Sequence, residues 1–335
     1  MDEPTLLEVN AVTTHFDTRG GTVKAVNEVS FRADRREMVG IVGESGCGKS
    51  ATVRTVLGLI RTPGQVLGGE VLLDGDDLLR MSKRQLRNVR GDKIGFVAQN
   101  PFASLNPILK IERQFHNVIT AHSGRTSRAS TREMARDMLT AVGIPGPDRI
   151  LDGYAHELSG GMAQRVVIAL ALILDPELIV ADEPTTALDV TIQRQILDLL
   201  RRKSVDEGRS LVLVTHDLGV VAQYCDRVVV MYAGKVVETG PVKEVFGRPA
   251  HPYTLALLKS VPRRGAKVQA LRGRVPSLID YPAGCAFADR CPFVIERCRE
   301  DVPELLSAFP GSGVERTSRC HVDEQEVSPG ATGES

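Results

Sequence analysis

The stretch "GIVGESGCGKS" at residues 40–50 decides the fold of this chain, because it fits the pattern G-x-x-x-x-G-K-[ST]. The apolar run before it, Met38–Val42, predicts a short buried strand, and residues 51–60 after it have helical spacing. Between a strand and a helix, glycines let several backbone N–H groups converge on one anion, and the helix adds its positive end. The stretch predicts a phosphate-binding loop, and an ordinary glycine-rich turn is the alternative.

Composition limits the classes of function open to the chain. With 335 residues there is room for about two domains, and 42 basic residues balance 42 acidic ones. Such a balance provides no overall field for nucleic acid or an anionic membrane, and the absence of tryptophan argues against an aromatic platform for single strands. The start "MDEPTLLEVN" has neither the basic nor the apolar region of a signal peptide. The longest apolar run, residues 166–174, is about half a membrane span, so a membrane role requires partner subunits.

The pattern along the chain predicts an α/β protein. Strand signals dominate the first hundred residues, prolines then separate two helical stretches between residues 100 and 157, and helices alternate with buried strands from residue 162 onward. A hairpin is expected to turn at Ala233-Gly234. The arginine-rich segment 122–133 predicts a solvated loop and the start of a helix. The last dozen residues are predicted to be disordered.

A second element, "LIVADEP" at residues 178–184, offers the carboxylates that a phosphate loop requires. Four apolar residues predict a buried strand that ends at Asp182, which would hold Mg²⁺ through water, while Glu183 would face the γ-phosphate. Lys49 would reach the β- and γ-phosphates, and the Ser50 hydroxyl would bind the same Mg²⁺. The two elements together are much stronger support for a nucleotide site than either is alone.

The third element is "ELSGGMAQR" at residues 157–165. Small residues directly precede an apolar-periodic helix, which predicts a second helix N-terminus suited to an anion, with a plain helix cap as the alternative. With this stretch the chain resembles the ATP-binding cassette (ABC) ATPases, whose signature is LSGG followed by QR. Further family landmarks follow in order: Gln99 in "VAQNP", Asp189 in "TALD" and the switch histidine His216 in "VTHDL".

The resemblance implies a site for ATP and Mg²⁺. It assigns catalysis to Glu183, His216 and Gln99, and Mg²⁺ to Ser50, Gln99 and Asp182. Phe16 matches the aromatic residue that stacks on adenine, with a strand core residue as the alternative. The residues that the resemblance places around the nucleotide are Phe16, Gly43, Glu44, Ser45, Gly46, Cys47, Gly48, Lys49, Ser50, Ala51, Gln99, Ser159, Gly160, Gly161, Asp182 and Asp189.

In the family geometry two cassettes pack head to tail and trap two ATP molecules. Each ATP would lie between residues 43–50 of one chain and residues 158–161 of the other, so that hydrolysis releases the dimer. Catalysis would then consist of positioning and charge neutralisation, with Glu183 polarising the attacking water and His216 holding it in line.

Other stretches narrow the resemblance to one group of cassettes. "QNPFASLNP" at 99–107, "ADEPTTALDVTIQRQIL" at 181–197 and "FGRPAHPYTLALLKSVP" at 246–262 are similar to the ATPase subunits of oligopeptide, dipeptide and nickel importers. Departures are small: Arg35-Arg36 replaces a usual glycine, and Ala98 stands where phenylalanine is common. The implied fold is a P-loop NTPase core with an antiparallel β-subdomain, an inserted α-helical signature subdomain (about residues 100–165) and a small cysteine-bearing C-terminal extension.

The implied boundaries are residues 1–247 for the nucleotide-binding domain, 248–322 for the extension and 323–335 for a disordered tail. The implied function is the ATP-hydrolysing motor of a peptide importer, peripheral on the cytoplasmic face of the cell membrane. Its partners would be two membrane permease subunits, a second paralogous ATPase and, indirectly, an extracytoplasmic substrate-binding protein. Nickel or another small solute is an alternative cargo. A cassette protein acting on ribosomes or DNA is the alternative of another class, and a regulatory nucleotide-binding module without turnover is a further one, against which the intact Glu183 and His216 argue.

The cysteines raise a separate question. Cys285, Cys291, Cys298 and Cys320 have neither zinc-ribbon nor ferredoxin spacing, so the residues alone leave unlinked thiols, zinc and iron–sulfur open. The resemblance implies a 4Fe-4S cluster on these four cysteines, with Zn²⁺ as the alternative. The cluster would stabilise the extension without a redox role, because it lies far from the ATP motifs in sequence. Cys47 is expected to be a packing residue of the loop.

Overall fold

The computed structural model describes residues 5–124, 126–186, 188–261, 271 and 273–328. The strands are β1 (Thr5–Thr18), β2 (Gly21–Asp34), β3 (Met38–Val42), β4 (Gly64–Leu73), β5 (Asp76–Asp77), β6 (Ile94–Val97), β7 (Leu178–Asp182), β8 (Ser210–Val214), β9 (Arg227–Tyr232), β10 (Lys235–Pro241), β11 (Leu306–Ser307) and β12 (Thr317–Ser318).

Helices occupy most of the segments between these strands. They are α1 (Lys49–Val56), α2 (Lys83–Asp92), α3 (Pro101–Ser104), α4 (Ile111–Ser123), α5 (Arg128–Ala141), α6 (Pro147–Asp152), α7 (Gly160–Leu172), α8 (Val190–Lys203), α9 (Leu218–Tyr224), α10 (Val242–Gly247), α11 (Pro252–Ser260), α12 (Arg297–Glu300) and α13 (Glu324–Val327). Within the described residues, the helices are all too short or too polar to cross a membrane.

The chain forms two compact units, and the first consists mainly of Asp34–Met38 and Arg80–Val214. In this unit β6, β7 and β8 run parallel, with Val97 opposite Ala181 and Asp182 opposite Val214. Every residue of β7 and β8 is buried, as expected for parallel strands with continuous apolar sequences. Their carboxyl ends meet at one edge of the sheet, which is where parallel sheets place their ligand-binding residues.

The segment between β6 and β7 is helical and contains an ion-pair network. Glu112 of α4 is buried, and its carboxylate accepts hydrogen bonds from Arg128 at 2.7 Å and from Arg132 at 3.1 Å. The Arg128 guanidinium, followed by that of Arg132, lowers the pKa of Glu112. The helix start predicted within 122–133 is present, because α5 begins at Arg128, and the Arg128 side chain is 67% exposed. The prediction did not include the pairing of Arg128 and Arg132 with a buried acid. The sequence alone did not indicate the acid's position.

The second unit consists of Leu7–Ala33, Val39–Leu79 and the chain from Thr215 onward. It holds an antiparallel sheet in the order β2-β1-β4-β5. It also holds β9, which is parallel to β3 and antiparallel to β10. The β9–β10 hairpin turns at Ala233 and Gly234 as predicted, with φ values of 45° and 79°. Two consecutive positive φ values are typical of the type I′ hairpin turn.

The C-terminal part of the second unit adds to the same strands. β12 pairs with β10, with Glu238 opposite Ser318, and β11 pairs with β12. The Glu238 side chain is fully buried, and its carboxylate accepts hydrogen bonds from the backbone N–H groups of Ala250 and His251 and from Arg316 at 2.8 Å. One buried acid therefore anchors both ends of the C-terminal region to the hairpin.

Two predicted segments differ from the structure. The helix after the glycine-rich loop begins at Lys49 and ends at Val56, earlier than the predicted range of 51–60. The prediction of disorder for the last dozen residues is wrong for α13. Asp323 caps this helix by accepting a hydrogen bond from the Gln325 N–H at 2.8 Å. Val327 of this helix is buried. Residues 329–335 lie outside the described residues.

Candidate functional site

The glycine-rich loop lies between β3 and α1, as the sequence predicts. A side chain at Gly43 would place its Cβ 2.2 Å from the Met231 carbonyl oxygen, and one at Gly48 would lie 2.2 Å from that of Ala25. Gly48 also has a φ of 105°, which L-residues rarely adopt. Glycine is therefore required at both positions, because the loop backbone lies directly against its neighbours.

Lys49 lies folded into this loop. Its side chain is buried, and Nζ donates hydrogen bonds to the carbonyl oxygens of Gly43 at 2.8 Å and Glu44 at 3.1 Å. Ser45 and Gly46 are exposed at the tip of the loop, and Glu44, Gly48, Ser50 and Ala51 are half-buried. A cation enclosed by the loop at the N-terminus of a helix is the arrangement expected for binding phosphates.

Cys47 faces inward from the loop. It is fully buried, and burial raises the pKa of its thiol, although the nearby Lys49 acts in the opposite direction. A Cβ at Gly43 would lie 2.7 Å from the Cys47 Sγ. A buried thiol that stays protonated at neutral pH is unreactive, which fits a packing role for this side chain.

The carboxylate set lies at the carboxyl end of β7. Asp182 is buried at the last position of the strand, and Glu183 follows with a φ of 45°. The Glu183 Oε2 accepts hydrogen bonds from Gln99 Nε2 at 3.0 Å and from Thr186 Oγ1 at 2.9 Å. The backbone N–H of Glu183 donates to the Val214 carbonyl at 3.0 Å. The structure thus brings Gln99 and Glu183 together, two residues that the sequence separates widely.

Thr186 is a member of this group that the sequence reasoning did not single out. It occurs in "DEPTTALD", where the hydroxyl three residues after the acid was the available signal. The strained backbone of Glu183 is a second feature that the sequence could not indicate, because a non-glycine residue with positive φ is uncommon. Such strain often occurs at functional sites, where surrounding contacts maintain it.

The signature residues occupy the start of α7. Ser159 is the N-cap, and its hydroxyl accepts a hydrogen bond from the Met162 N–H at 3.3 Å. Ser159 is exposed, while Gly160 and Gly161 are half-buried, and a Cβ at Gly161 would lie 3.0 Å from the Ile192 side chain. Asp189 caps α8 in the same manner by accepting from the Ile192 N–H at 3.0 Å. The plain cap predicted as the alternative for Ser159 is present, and the helix N-terminus remains at the surface.

Two more predicted residues lie in the second unit. Phe16 is half-buried in β1, where its ring lies over Gly64 so closely that a Cβ there would be 2.6 Å from the ring. His216 is exposed after β8, just before Asp217 caps α9. The roles of both residues remain predictions.

The four C-terminal cysteines all belong to the second unit. The Cys285 N–H donates to the Cys298 carbonyl at 2.7 Å. Burial raises the pKa of Cys291 to about 11 and that of Cys320 to about 12, and the charges of the other cysteines contribute to both shifts. These thiols are not linked as disulfides. In the described part of the chain, however, no group of three or more histidine, cysteine or acidic side chains has an arrangement that could hold a metal ion.

Comparison with known proteins agrees with this geometry. Residues 26–186 match the ABC transporter family, and residues 237–298 match the family described as the oligopeptide/dipeptide transporter C-terminal region. The "probable peptide ABC transporter ATP-binding protein" of Sinorhizobium fredii is 49% identical over 91% of this chain and 92% of its own length. The dipeptide transport ATP-binding protein DppD of Escherichia coli is 43% identical over 94% of this chain and 96% of its own length.

Solved structures lead to the same family. A dimeric ATP-binding cassette in a post-hydrolysis state with ADP and Pi has a TM-score of 0.64 and 29% identity, covering 71% of this chain and 99% of its own. The structure of cbiO1 from Clostridium perfringens has a TM-score of 0.61 and 29% identity, and the match covers 73% of this chain and 92% of the cbiO1 chain. The chain belongs to the ABC transporter family and is an ATPase of that family.

Proposed function

We propose that this chain is the ATP-hydrolysing motor subunit of an importer for peptides. The observation that carries the proposal is the hydrogen-bonded group of Gln99, Glu183 and Thr186 at the end of β7, in a chain that also has the importer C-terminal region. Relatives named for peptide and dipeptide transport, similar over nearly their full length, support the cargo class.

The glycine-rich loop would bind the phosphates of ATP. Lys49, already enclosed by the loop carbonyls, would turn its ammonium to the β- and γ-phosphates of ATP. Ser50, Gln99 and Asp182 would hold Mg²⁺, which supplies neutralisation of the phosphate charge when bound. Phe16, Glu44, Ser45, Gly46, Cys47, Gly48 and Ala51 would form the rest of the binding site for the nucleotide.

Hydrolysis requires a water molecule held in line with the γ-phosphate. The Glu183 carboxylate would polarise this water, and Gln99 and Thr186 fix the orientation of that carboxylate through Oε2. Oε1 is then the oxygen that would accept the water's hydrogen bond. His216, exposed after β8, would hold the same water in line.

The signature would act on the ATP of another cassette. Ser159, Gly160 and Gly161 lie at a helix N-terminus at the surface, and Asp189 lies at the start of the next long helix, α8. An exposed helix N-terminus suits the γ-phosphate of a nucleotide bound by a second chain. A solved relative described as dimeric and bound to ADP and Pi supports a pair of cassettes.

Affinity purification from native membranes tests the proposed partners. The chain is expected to be recovered with two membrane permeases and a second, similar ATPase, on the cytoplasmic face of the membrane, as its similarity to peptide-importer ATPases suggests. A substrate-binding protein on the other side would select the peptide. Recovery as a homodimer with ribosomes or DNA attached would instead favour the rival class.

We also propose that residues 248–322 form a C-terminal extension that holds a 4Fe-4S cluster on Cys285, Cys291, Cys298 and Cys320. The charges of neighbouring cysteines contribute, after burial, to the raised pKa values of Cys285, Cys291 and Cys320, and four thiolates without a required histidine suit such a cluster. The proposal of the cluster over zinc rests on the resemblance to peptide-importer ATPases, because the described residues form no group of three or more side chains that could hold a metal ion.

Purification without oxygen distinguishes these possibilities. The protein is expected to be brown, to absorb broadly near about 400 nm and to contain about four irons per chain. Because the pKa values of the Cys285, Cys291 and Cys320 thiols are raised, loading should release protons, which a pH-sensitive dye would detect during reconstitution. Colourless anaerobic protein with one equivalent of zinc would contradict the cluster and favour a zinc site.

A further inference from the structure

The cysteine-bearing C-terminal region directly contacts the glycine-rich loop. Arg290, the residue before Cys291, is buried, with only 5% of its side chain exposed. Its Nη1 donates a hydrogen bond to Glu44 Oε2 at 2.6 Å, and its Nη2 donates to Oε1 at 3.0 Å. This bidentate pair joins two segments that lie far apart in the sequence.

The guanidinium of Arg290 is fixed by its surroundings as well. Nη1 also donates to the Tyr232 hydroxyl at 3.1 Å, and the guanidinium lies 5.7 Å from the Tyr232 ring centre and 5.8 Å from that of Phe287. Tyr232, Tyr253 and Phe287 pack against one another with ring centres 4.5 to 5.4 Å apart. An arginine held by a carboxylate, a hydroxyl and aromatic rings has little freedom to leave its position.

Glu44 is held at its backbone too. The Tyr253 hydroxyl accepts a hydrogen bond from the Glu44 N–H at 3.0 Å, and the Glu44 carbonyl accepts one from Lys49 Nζ at 3.1 Å. A single loop residue therefore connects Arg290 with the lysine that faces the phosphates.

The negative charge of Glu44 lies in the loop that would bind the phosphates, so its neutralisation by Arg290 matters for ATP binding. A carboxylate in a loop that binds a polyphosphate repels its ligand, and low local dielectric makes the repulsion stronger. Arg290 neutralises the carboxylate and turns it toward the C-terminal region.

We infer that Arg290 is a positioning residue of the ATP site: it neutralises Glu44 and fixes the loop backbone around Lys49. The C-terminal region is then an accessory part of the nucleotide site and does more than stabilise itself. This inference rests on ATP binding at the loop and is independent of the transported solute. We assign the Arg290–Glu44 pair a role in ATP binding and not in stability, because a buried ion pair by itself is weak support for stability.

The test is ATP affinity and steady-state ATPase kinetics of full-length variants. Arg290→Gln is expected to weaken ATP binding and raise KM for ATP by about tenfold, with a much smaller change in kcat, since the loop and its charge are disturbed while Glu183 is not. Adding Glu44→Gln to this variant should restore most of the affinity, because the repelling charge is then removed. The matched control is Arg299→Gln, which breaks an exposed pair with Asp289 in the same region and should leave affinity unchanged.

Unchanged ATP affinity in Arg290→Gln overturns the inference, and so does a double variant that binds ATP no better than Arg290→Gln. Melting temperatures measured alongside separate the loss of affinity from the loss of fold. If Arg290→Gln does not fold, Arg290→Lys takes its place, because lysine keeps the charge but loses the bidentate contact. A KM raised by about threefold then supports positioning by Arg290, and an unchanged KM contradicts it.

Discussion

Replacement of Glu183 by glutamine will leave ATP binding intact and lower ATP turnover by about 10²-fold or more. Glutamine has nearly the same shape, so it should still accept hydrogen bonds from Gln99 Nε2 and Thr186 Oγ1 through its amide oxygen. The atom that remains to face water is then an amide nitrogen, which cannot polarise it. The measurement is phosphate release by the assembled complex, together with ATP affinity.

Glu177→Gln is the matched control for this prediction. Glu177 directly precedes β7, where its exposed side chain pairs with Arg35 at 2.7 Å, so the same chemical change is made at the opposite end of the same strand. This control should turn over ATP at the normal rate. A near-normal rate in Glu183→Gln would show that the role assigned to Glu183 is wrong.

Lys49→Ala is expected to weaken ATP binding itself by about 10²-fold, because it removes charge-assisted hydrogen bonds worth roughly 2–3 kcal/mol from the centre of the loop. The variant also leaves the carbonyls of Gly43 and Glu44 without their donor, so the loop loses its internal support. The measurement is the Kd for ATP by titration calorimetry.

Lys203→Ala serves as the control for this variant, since Lys203 at the end of α8 pairs with Glu207 at 2.6 Å on the surface. Its Kd should equal that of the wild-type chain. Wild-type affinity in Lys49→Ala would contradict the assignment of residues 43–50 as the phosphate-binding loop, and with it the central element of the site.

Sequence reasoning was most successful where local pattern and motif agree. The apolar runs at β3 and β7 and the turn at Ala233-Gly234 were predicted close to their observed bounds, because buried parallel strands and type I′ turns have strong local signals. Membership of the ABC family, inferred from three motifs in order, is confirmed. The roles of the individual site residues remain predictions.

What the sequence did not indicate depends on contacts between distant segments. Nothing in "FADRCPF" distinguishes Arg290 from the many surface arginines, and its pairing with Glu44 exists only once the C-terminal region folds against the loop. The pairing of Arg128 and Arg132 with the buried Glu112 leaves no local signal either, because Glu112 lies in another helix. The position of a counterion is a property of the tertiary structure and leaves no local pattern.

The pairing of β12 with β10 has a consequence for self-association. Unpaired strand edges are templates for other chains, and natural proteins cover them or keep them short. Without residues 306–318, the outer edge of β10 at Glu238 and Thr239 would present open backbone groups, and the buried Glu238 would lose Arg316. With them, the edge belongs to β11, only two residues long. We therefore expect the C-terminal region to protect the cassette from aggregation, so that a chain shortened before Leu306 would be aggregation-prone even if its nucleotide motifs were intact.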